Sequence, residues 1–388
     1  MNKNTIRKQI RNKLIEYYSC YLGIGKKIEK KLLFVSFDGK QYSCNPRAIS
    51  ERMHELYPEY EIVWYLKTAD KYDVVPNYVR TVTTRKGFLK EMVTSFCVVT
   101  NKQFEEGTYK RNKQFFVQTW HGDIGIKKIL YDAWEDLANI KNKPVPIKDN
   151  ELTDVCIAGS DLAEEVYRSA FRYKGFVLKE GTPRNDKLCR DNSVLSRKIK
   201  KIFNIGEKTK IVLFAPTFRD RKGKKQESFV DLKRVLSVLN SKTGENWICL
   251  YRAHVGFELN ITPSESIINV SDYPDMADLL AICDMLITDY SACAGDFLLR
   301  KKAVVLAIFD YEEYLDSCRT LKIDPVKAGF LFAFNQEELE RLLANLTEKQ
   351  ILINCESLMN RFKIVFNPDS SKVICDIIDK EYKKIFCR

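Results

Sequence analysis

What most constrains the fold of this chain is a rhythm that occurs twice: short β-branched and aromatic runs separated by stretches of helical periodicity. The first series holds "KLLFVSF" (31–37), "EIVWYL" (61–66), "FCVVT" (96–100), "FFVQTW" (115–120) and "DVCIAG" (154–159). The second holds "KIVLFAP" (210–216), "WICLYR" (247–252), "SIINV" (266–270), "DMLITD" (284–289) and "AVVLAI" (303–308). Strands alternating with helices require crossover connections, and so a parallel sheet. Segment 186–209, rich in Lys, Arg and Ser, has little apolar periodicity and reads as the break between the two series. The expected class is α/β: two doubly wound parallel-sheet domains, over 31–190 and 200–370, facing each other across a cleft. A length of 388 residues agrees, because single hydrophobic cores stop growing near about 250–300 residues. The remaining segment, 371–388, is expected to be a helix packing back on the first domain.

The chain has no apolar run of membrane-spanning length and no signal-peptide core, and its twelve cysteines are scattered without a C-x-x-C pair. These features read as a cytoplasmic protein with buried, unpaired thiols. The net charge of +12 is front-loaded: residues 1–31 hold nine Lys and Arg against Glu16 and Glu29. In the same segment Ile10, Leu14, Tyr17, Tyr18 and Tyr21 recur at three- and four-residue intervals. A helix over 1–30 would therefore carry one aromatic stripe flanked by cations, which suits the surface of an anionic membrane. It also suits a basic helix packed on its own domain. Nucleic acid is not an expected partner, since no recognition motif accompanies the charge.

Open parallel sheets bind ligands beyond the carboxyl ends of their strands. The unusual polar residues gather there: His121 and Gly122 after 115–120, Thr217 and Arg219 after 210–215, Arg252 and His254 after 247–251, and Asp289, Tyr290 and Ser291 after 284–288. Two of three histidines stand at strand ends, one in each half of the chain. With the arginines they outline a cleft holding a proton acceptor and several cations, suited to a phosphate-bearing substrate. The third, His54, falls in a helical stretch and reads as structural. In "ITDYSACAGDFLLR" (287–300) a strand runs through a Ser-containing loop into a helix whose first N–H groups would face the same cleft. The chain has no G-x-x-x-x-G-K-[ST], G-x-G-x-x-G or G-x-S-x-G, and no metal-holding D-x-D. A transfer without cofactor or metal, neutralised by Arg, His and helix ends, is the expectation.

"GKQYSCNP" (39–46), "QTWHG" (118–122), "GTPRND" (181–186), "LFAPTFRD" (213–220), "SDYPDMADLL" (271–280) and "DMLITDYSACAGDF" (284–297) together resemble the CDP-glycerol glycerophosphotransferase family of teichoic acid and capsule synthesis. The resemblance runs from about residue 31 to 320. It implies a GT-B-like fold, CDP-glycerol as donor, and attack by an acceptor hydroxyl on the distal phosphate with release of CMP. It also implies His121 as general base, and His254 with Arg252 on the diphosphate. Thr217, Arg219, Ser271, Asp272, Tyr273, Pro274, Asp289, Tyr290 and Ser291 would form the donor pocket, with Asp296 accepting from ribose hydroxyls. Gly122, Asp123, Arg184 and Asn185 would line the acceptor side. Met276, Leu279 and Leu280 read as core.

Two segments depart from the family pattern. Asp123-Ile124-Gly125 replaces Thr-Pro-Leu after the histidine–glycine pair, and Ala292-Cys293-Ala294-Gly295 is smaller than usual after "TDYS". The chain has little beyond two domains and a basic helix, which favours a primase-like enzyme over a long-chain polymerase. It would work on the inner face of the plasma membrane, on an undecaprenyl-diphosphate-linked saccharide. CDP-ribitol as donor, a nucleotide-sugar glycosyltransferase of the same fold, and a non-catalytic basic binding protein stand as alternatives.

Overall fold

The computed structural model describes residues 3–67, 74–104, 108–136, 149–217, 225–227, 229–253, 258–317 and 320–387. Seven strands form the first sheet: β1 Glu29–Val35, β2 Glu61–Tyr65, β3 Arg80–Val82, β4 Ser95–Thr100, β5 Phe115–Gln118, β6 Val155–Ile157 and β7 Phe176–Leu178. Their spatial order is β3-β2-β1-β4-β5-β6-β7, and every pair is parallel. The strand sequences explain this layering. In β1, Leu32 and Phe34 enter the core on one face while Leu33 and Val35 enter the core on the other, the period-two alternation of a strand buried on both sides.

In the second domain come β8 Lys210–Ala215, β9 Lys225–Glu227, β10 Trp247–Tyr251, β11 Glu258–Asn260, β12 Ile267–Asn269, β13 Met285–Thr288, β14 Ala303–Ala307 and β15 Leu331–Ala333. Six make a parallel sheet ordered β12-β10-β8-β13-β14-β15, and β9 with β11 forms a separate ribbon. The edge strands β3, β7 and β15, three residues each and only partly buried, were not anticipated.

Segment 186–209 is not a linker. A 3₁₀ stretch runs through Pro183–Cys189 and an α-helix through Ser193–Ile202, and Ile199 and Ile205 are buried in the second domain's core. The final helix, Ser370–Phe386, places Ile374, Cys375 and Ile378 among Leu32, Phe34 and Ile49 of the first domain. Asp186 holds its start, accepting from the backbone N–H groups of Ser370 and Ser371 at 3.1 and 2.9 Å.

The N-terminal helix α1 spans Lys3–Gly23. Ile15 and Leu22 pack against the first domain, while Leu14, Tyr17 and Tyr21 are 63–69% exposed on the outer face. Among the described residues, no helix is long and apolar enough to cross a membrane.

Candidate active site

A cavity of about 530 Å³ opens between the two domains at the carboxyl ends of β5, β8, β10 and β13, within the size range of small-molecule sites. Strand β5 delivers His121 to it through an unusual turn: Trp120 stands at φ 49°, costly for a bulky L-residue. Asn45, the second residue of helix α2 (Cys44–Leu56), holds this turn. Its side-chain amide donates to the carbonyls of Thr119 and Trp120 at 3.2 and 3.1 Å, and its Oδ1 accepts the Arg184 backbone N–H at 2.9 Å. His121 Nδ1 lies 2.6 Å from the Asn101 carbonyl. A carbonyl only accepts, so Nδ1 carries the proton and Nε2 carries the basic lone pair. The Trp120 and Phe37 rings lie 4.1 and 5.2 Å from the imidazole.

Gly122 is required for space rather than for backbone freedom. A Cβ there would stand 3.0 Å from the Cβ of Ala292 in the other domain. Next to it, Ile124 crosses into the second domain's core, where a Cβ on Gly295 would come within 2.3 Å of the Ile124 Cβ. The two segments that depart from the family pattern thus face each other, and the small residues of one admit the larger residue of the other. Asp123 lies buried beneath the floor, accepting the Gly159 N–H at 2.7 Å. Burial raises its pKa to about 6, with Arg184 pulling it down and Asp296 pushing it up.

The second domain contributes Thr217, Arg252, Pro274, Tyr290 and Ser291 to the cavity. Arg252 is only 9% exposed, and among the described residues its Nη1 has no hydrogen-bond partner. Its Nη2 donates to the Pro274 carbonyl at 3.3 Å. Burial lowers its pKa against the upward pull of Asp275. A buried guanidinium with an unmet donor is chemically suited to an anion. The Tyr290 ring stacks on Tyr314 at 3.8 Å.

Several expected donor residues have other duties. Asp296 faces the cavity, but Arg184 grips both its oxygens at 2.7–3.1 Å and Asn185 donates to it at 2.8 Å. It forms an interdomain clamp at the cavity wall. Asp289 is buried and accepts the Thr217 N–H at 2.8 and 3.0 Å, so it shapes the β8 loop without lining the cavity. Tyr273 is buried with its hydroxyl donating to Asp278, a core position. Ser271 receives the Ala253 N–H at 2.9 Å and steadies the β10 loop, and Asp272 is an exposed residue. Met276, read as core, packs half-buried against it and also lines the cavity, as does Leu280 from its buried position. Arg219 and His254 lie outside the described residues. His54, off the site, stacks on Tyr78 at 3.6 Å.

Sequence reasoning assigned no role to Asn45, Asn101 or Asp275. Asp275 N-caps the helix Met276–Ile282 and pairs with Arg47 of the first domain at 3.2 Å. "GKQYSCNP" had marked the neighbourhood of Asn45, but only the folded chain shows what its amide touches.

Comparison with known proteins agrees with this fold. A poly(glycerol phosphate) polymerase of teichoic acid from Bacillus spizizenii is 31% identical, over 96% of this chain and 99% of its own length. A teichoic acid glycerol-phosphate transferase from Staphylococcus aureus is 29% identical, over 84% of this chain and 85% of its own. The solved structure of the wall teichoic acid polymerase TagF superposes with a TM-score of 0.82 at 26% identity, covering 100% of both chains. A variant of that polymerase soaked with CDPG gives 0.81 over 99% of each. Because the Bacillus spizizenii polymerase is matched over nearly its whole length, chain size does not separate primases from polymerases. Residues 21–373 match the family described as CDP-glycerol:poly(glycerophosphate) glycerophosphotransferase, and the chain belongs to that family of enzymes.

Proposed function

We propose that this enzyme transfers glycerol phosphate from CDP-glycerol to a hydroxyl of a lipid-linked saccharide or a growing polyol-phosphate chain, in teichoic acid or capsule synthesis. The acceptor oxygen bonds to the distal phosphorus, the bond from that phosphorus to the CMP oxygen breaks, and the hydroxyl proton passes to His121 Nε2. The observation that carries this reading is the pairing, in one cavity, of a histidine with its tautomer fixed and a buried arginine with an unmet donor. Arg252 takes the diphosphate and stabilises the charge that gathers on departing CMP. Positioned proton transfer contributes about 10²–10⁴-fold, and orientation in the closed cleft adds to it.

No metal takes part in this scheme. Among the described residues two carboxylates line the cavity, and each is already paired, Asp275 with Arg47 and Asp296 with Arg184. Activity should accordingly survive a chelator. The outer face of α1 rests on the anionic inner leaflet and keeps the cleft near a membrane-embedded, undecaprenyl-diphosphate-linked acceptor.

The test is CMP release from CDP-glycerol and, in parallel, CDP-ribitol, with and without a lipid-linked disaccharide, using His121→Ala as control. Acceptor-dependent CMP that disappears in the variant supports the reading and names the polyol. CMP from neither donor would overturn it in favour of a nucleotide-sugar transferase.

A further inference from the structure

Sheet order dictates what stands behind His121. β4 lies between β1 and β5, and the register sets Val35 beside Thr100 and Thr100 beside Gln118. The first residue beyond β4, Asn101, therefore emerges between the loop after β1 and the turn that carries His121. It is fully buried, and its carbonyl and both side-chain polar atoms serve those two neighbours. The carbonyl holds His121 Nδ1. The side-chain Oδ1 accepts the Phe37 N–H at 2.8 Å, and Nδ2 donates to Ser36 Oγ at 3.0 Å. Phe37 opens a run of three left-handed residues with Asp38 and Gly39, at φ 46°, 59° and 78°. Such strain persists only where the surroundings enforce it. The grip on its N–H also keeps the Phe37 ring 5.2 Å from the imidazole.

We propose that Asn101 is the positioning residue of the general base: its side-chain amide ties the loop after β1 to its own backbone and so holds the carbonyl that orients His121. The catalytic consequence rests on the transfer reading above, and the geometry does not. A neutral amide meets both side-chain demands, because it accepts at one atom and donates at the other. An apolar residue would leave the Phe37 N–H and the Ser36 hydroxyl unmet and free the strained loop to relax. A carboxylate of the same shape would still accept from both, but its charge would favour the protonated imidazole, in which Nε2 can no longer take a proton. The carbonyl fixes the tautomer without adding charge. The charged groups that share the cavity with the ring are Lys40, Lys102 and Arg184, the last two paired with Asp38 and Asp296, while Asp123 lies beneath the floor and burial pushes the Cys44 thiol up.

The experiment follows the ring nitrogens of the three histidines by NMR in the full chain, with His121→Gln to assign the signal, beside the kinetics of CMP release. Wild-type His121 should show one tautomer, protonated at Nδ1. In Asn101→Ala the tautomers should mix, and kcat should fall about ten- to hundredfold while the KM for CDP-glycerol changes by less than about twofold. Asn101→Asp keeps an acceptor for the Phe37 N–H. It should raise the pH midpoint of the His121 ring, and with it the acid limb of the kcat/KM profile, by about one unit. A residue that served only the fold would shift the unfolding midpoint and leave tautomer and pH profile alone. An unmixed tautomer in Asn101→Ala, a loss there carried by KM alone, or an unmoved ring midpoint in Asn101→Asp overturns the proposal. If Asn101→Ala does not fold, the ring midpoint of Asn101→Asp decides. Where the ring responds as expected but the wild-type protein releases no CMP, the orientation of His121 by Asn101 stands and the transfer reading falls.

Discussion

At the residue scale, the site keeps two ionisable groups in environments that cost stability. Arg252 is buried with an unmet donor, a loss of about 1–3 kcal/mol that a non-polar residue of similar shape would avoid. Arg252→Met should therefore hold or raise the melting temperature while raising the KM for CDP-glycerol roughly ten- to hundredfold. A matching drop in stability would assign Arg252 to the scaffold. Asp123 gives a prediction in pH. Its folded-state carboxyl, raised to about 6 by burial, holds its proton more tightly than the unfolded chain does. Its contribution to stability is therefore greatest in acid and is lost as the pH climbs from about 4 to about 6, on the order of 3 kcal/mol. Asp123→Asn keeps an acceptor for the Gly159 N–H without the ionisation. Denaturant unfolding at pH 4.5 and 7 should show the variant gaining on the wild type as the pH rises, and parallel curves would refute the shift.

At the scale of elements, the contact between the loop after β5 and the helix Cys293–Phe297 is tight enough to test. Gly295→Ala sets its new Cβ against the Ile124 Cβ, a branch point rather than a flexible tip, so the backbone must move at a cost of about 1–3 kcal/mol. Ile124→Gly removes that Cβ with the rest of a buried side chain and destabilises on its own, but the double variant should cost clearly less than the two losses added. Additive losses would mean the two segments do not share the space. Helix α1 permits a cleaner probe of the membrane than truncation does, because its inner face is part of the first domain. Tyr17→Ser with Tyr21→Ser should reduce sedimentation with anionic vesicles and leave the unfolding midpoint unchanged. Equal vesicle binding would set the membrane role aside.

These elements also show what the sequence could tell. Central strands such as β1 and β8 are apolar on both faces and stand out in any window. β3 and β7, three residues long at the sheet's edges, carry no such signal. The strand-end rule found His121, Thr217 and Arg252 because topology alone brings strand ends together. It could not sort Asp289, which serves the scaffold, from Tyr290 and Ser291, which line the cavity. It also could not find Asn45, whose partners lie 74, 75 and 139 residues away.

At the scale of the molecule, the two domains are joined over far more than a hinge. Ile124, Ile126 and Leu188 of the first sheet's half share one core with Leu280, Phe297 and Leu298 of the second. Arg184 grips Asp296, and Arg47 and Lys187 close on the buried Asp278. Burial alone would raise the Asp278 pKa, but Lys187 and Arg47 hold it well below the usual carboxylate range. The last helix then returns from the second domain to complete the first domain's core. A seam built this way resists opening, because separation would expose apolar surface and strand desolvated charges together. Neutralising Asp278 with Asn should cost about 1–3 kcal/mol, since two half-buried cations lose their nearest carboxylate but keep Asp275 beside them. Unfolding should remain a single transition followed alike by fluorescence and circular dichroism, where loosely coupled domains would give two. The same seam predicts that CDP-glycerol enters a cleft already closed, so the radius of gyration in solution should not change when the donor is added. A contraction on binding would mean that the domains part to admit it, and that the clamp at Asp296 forms anew in every cycle.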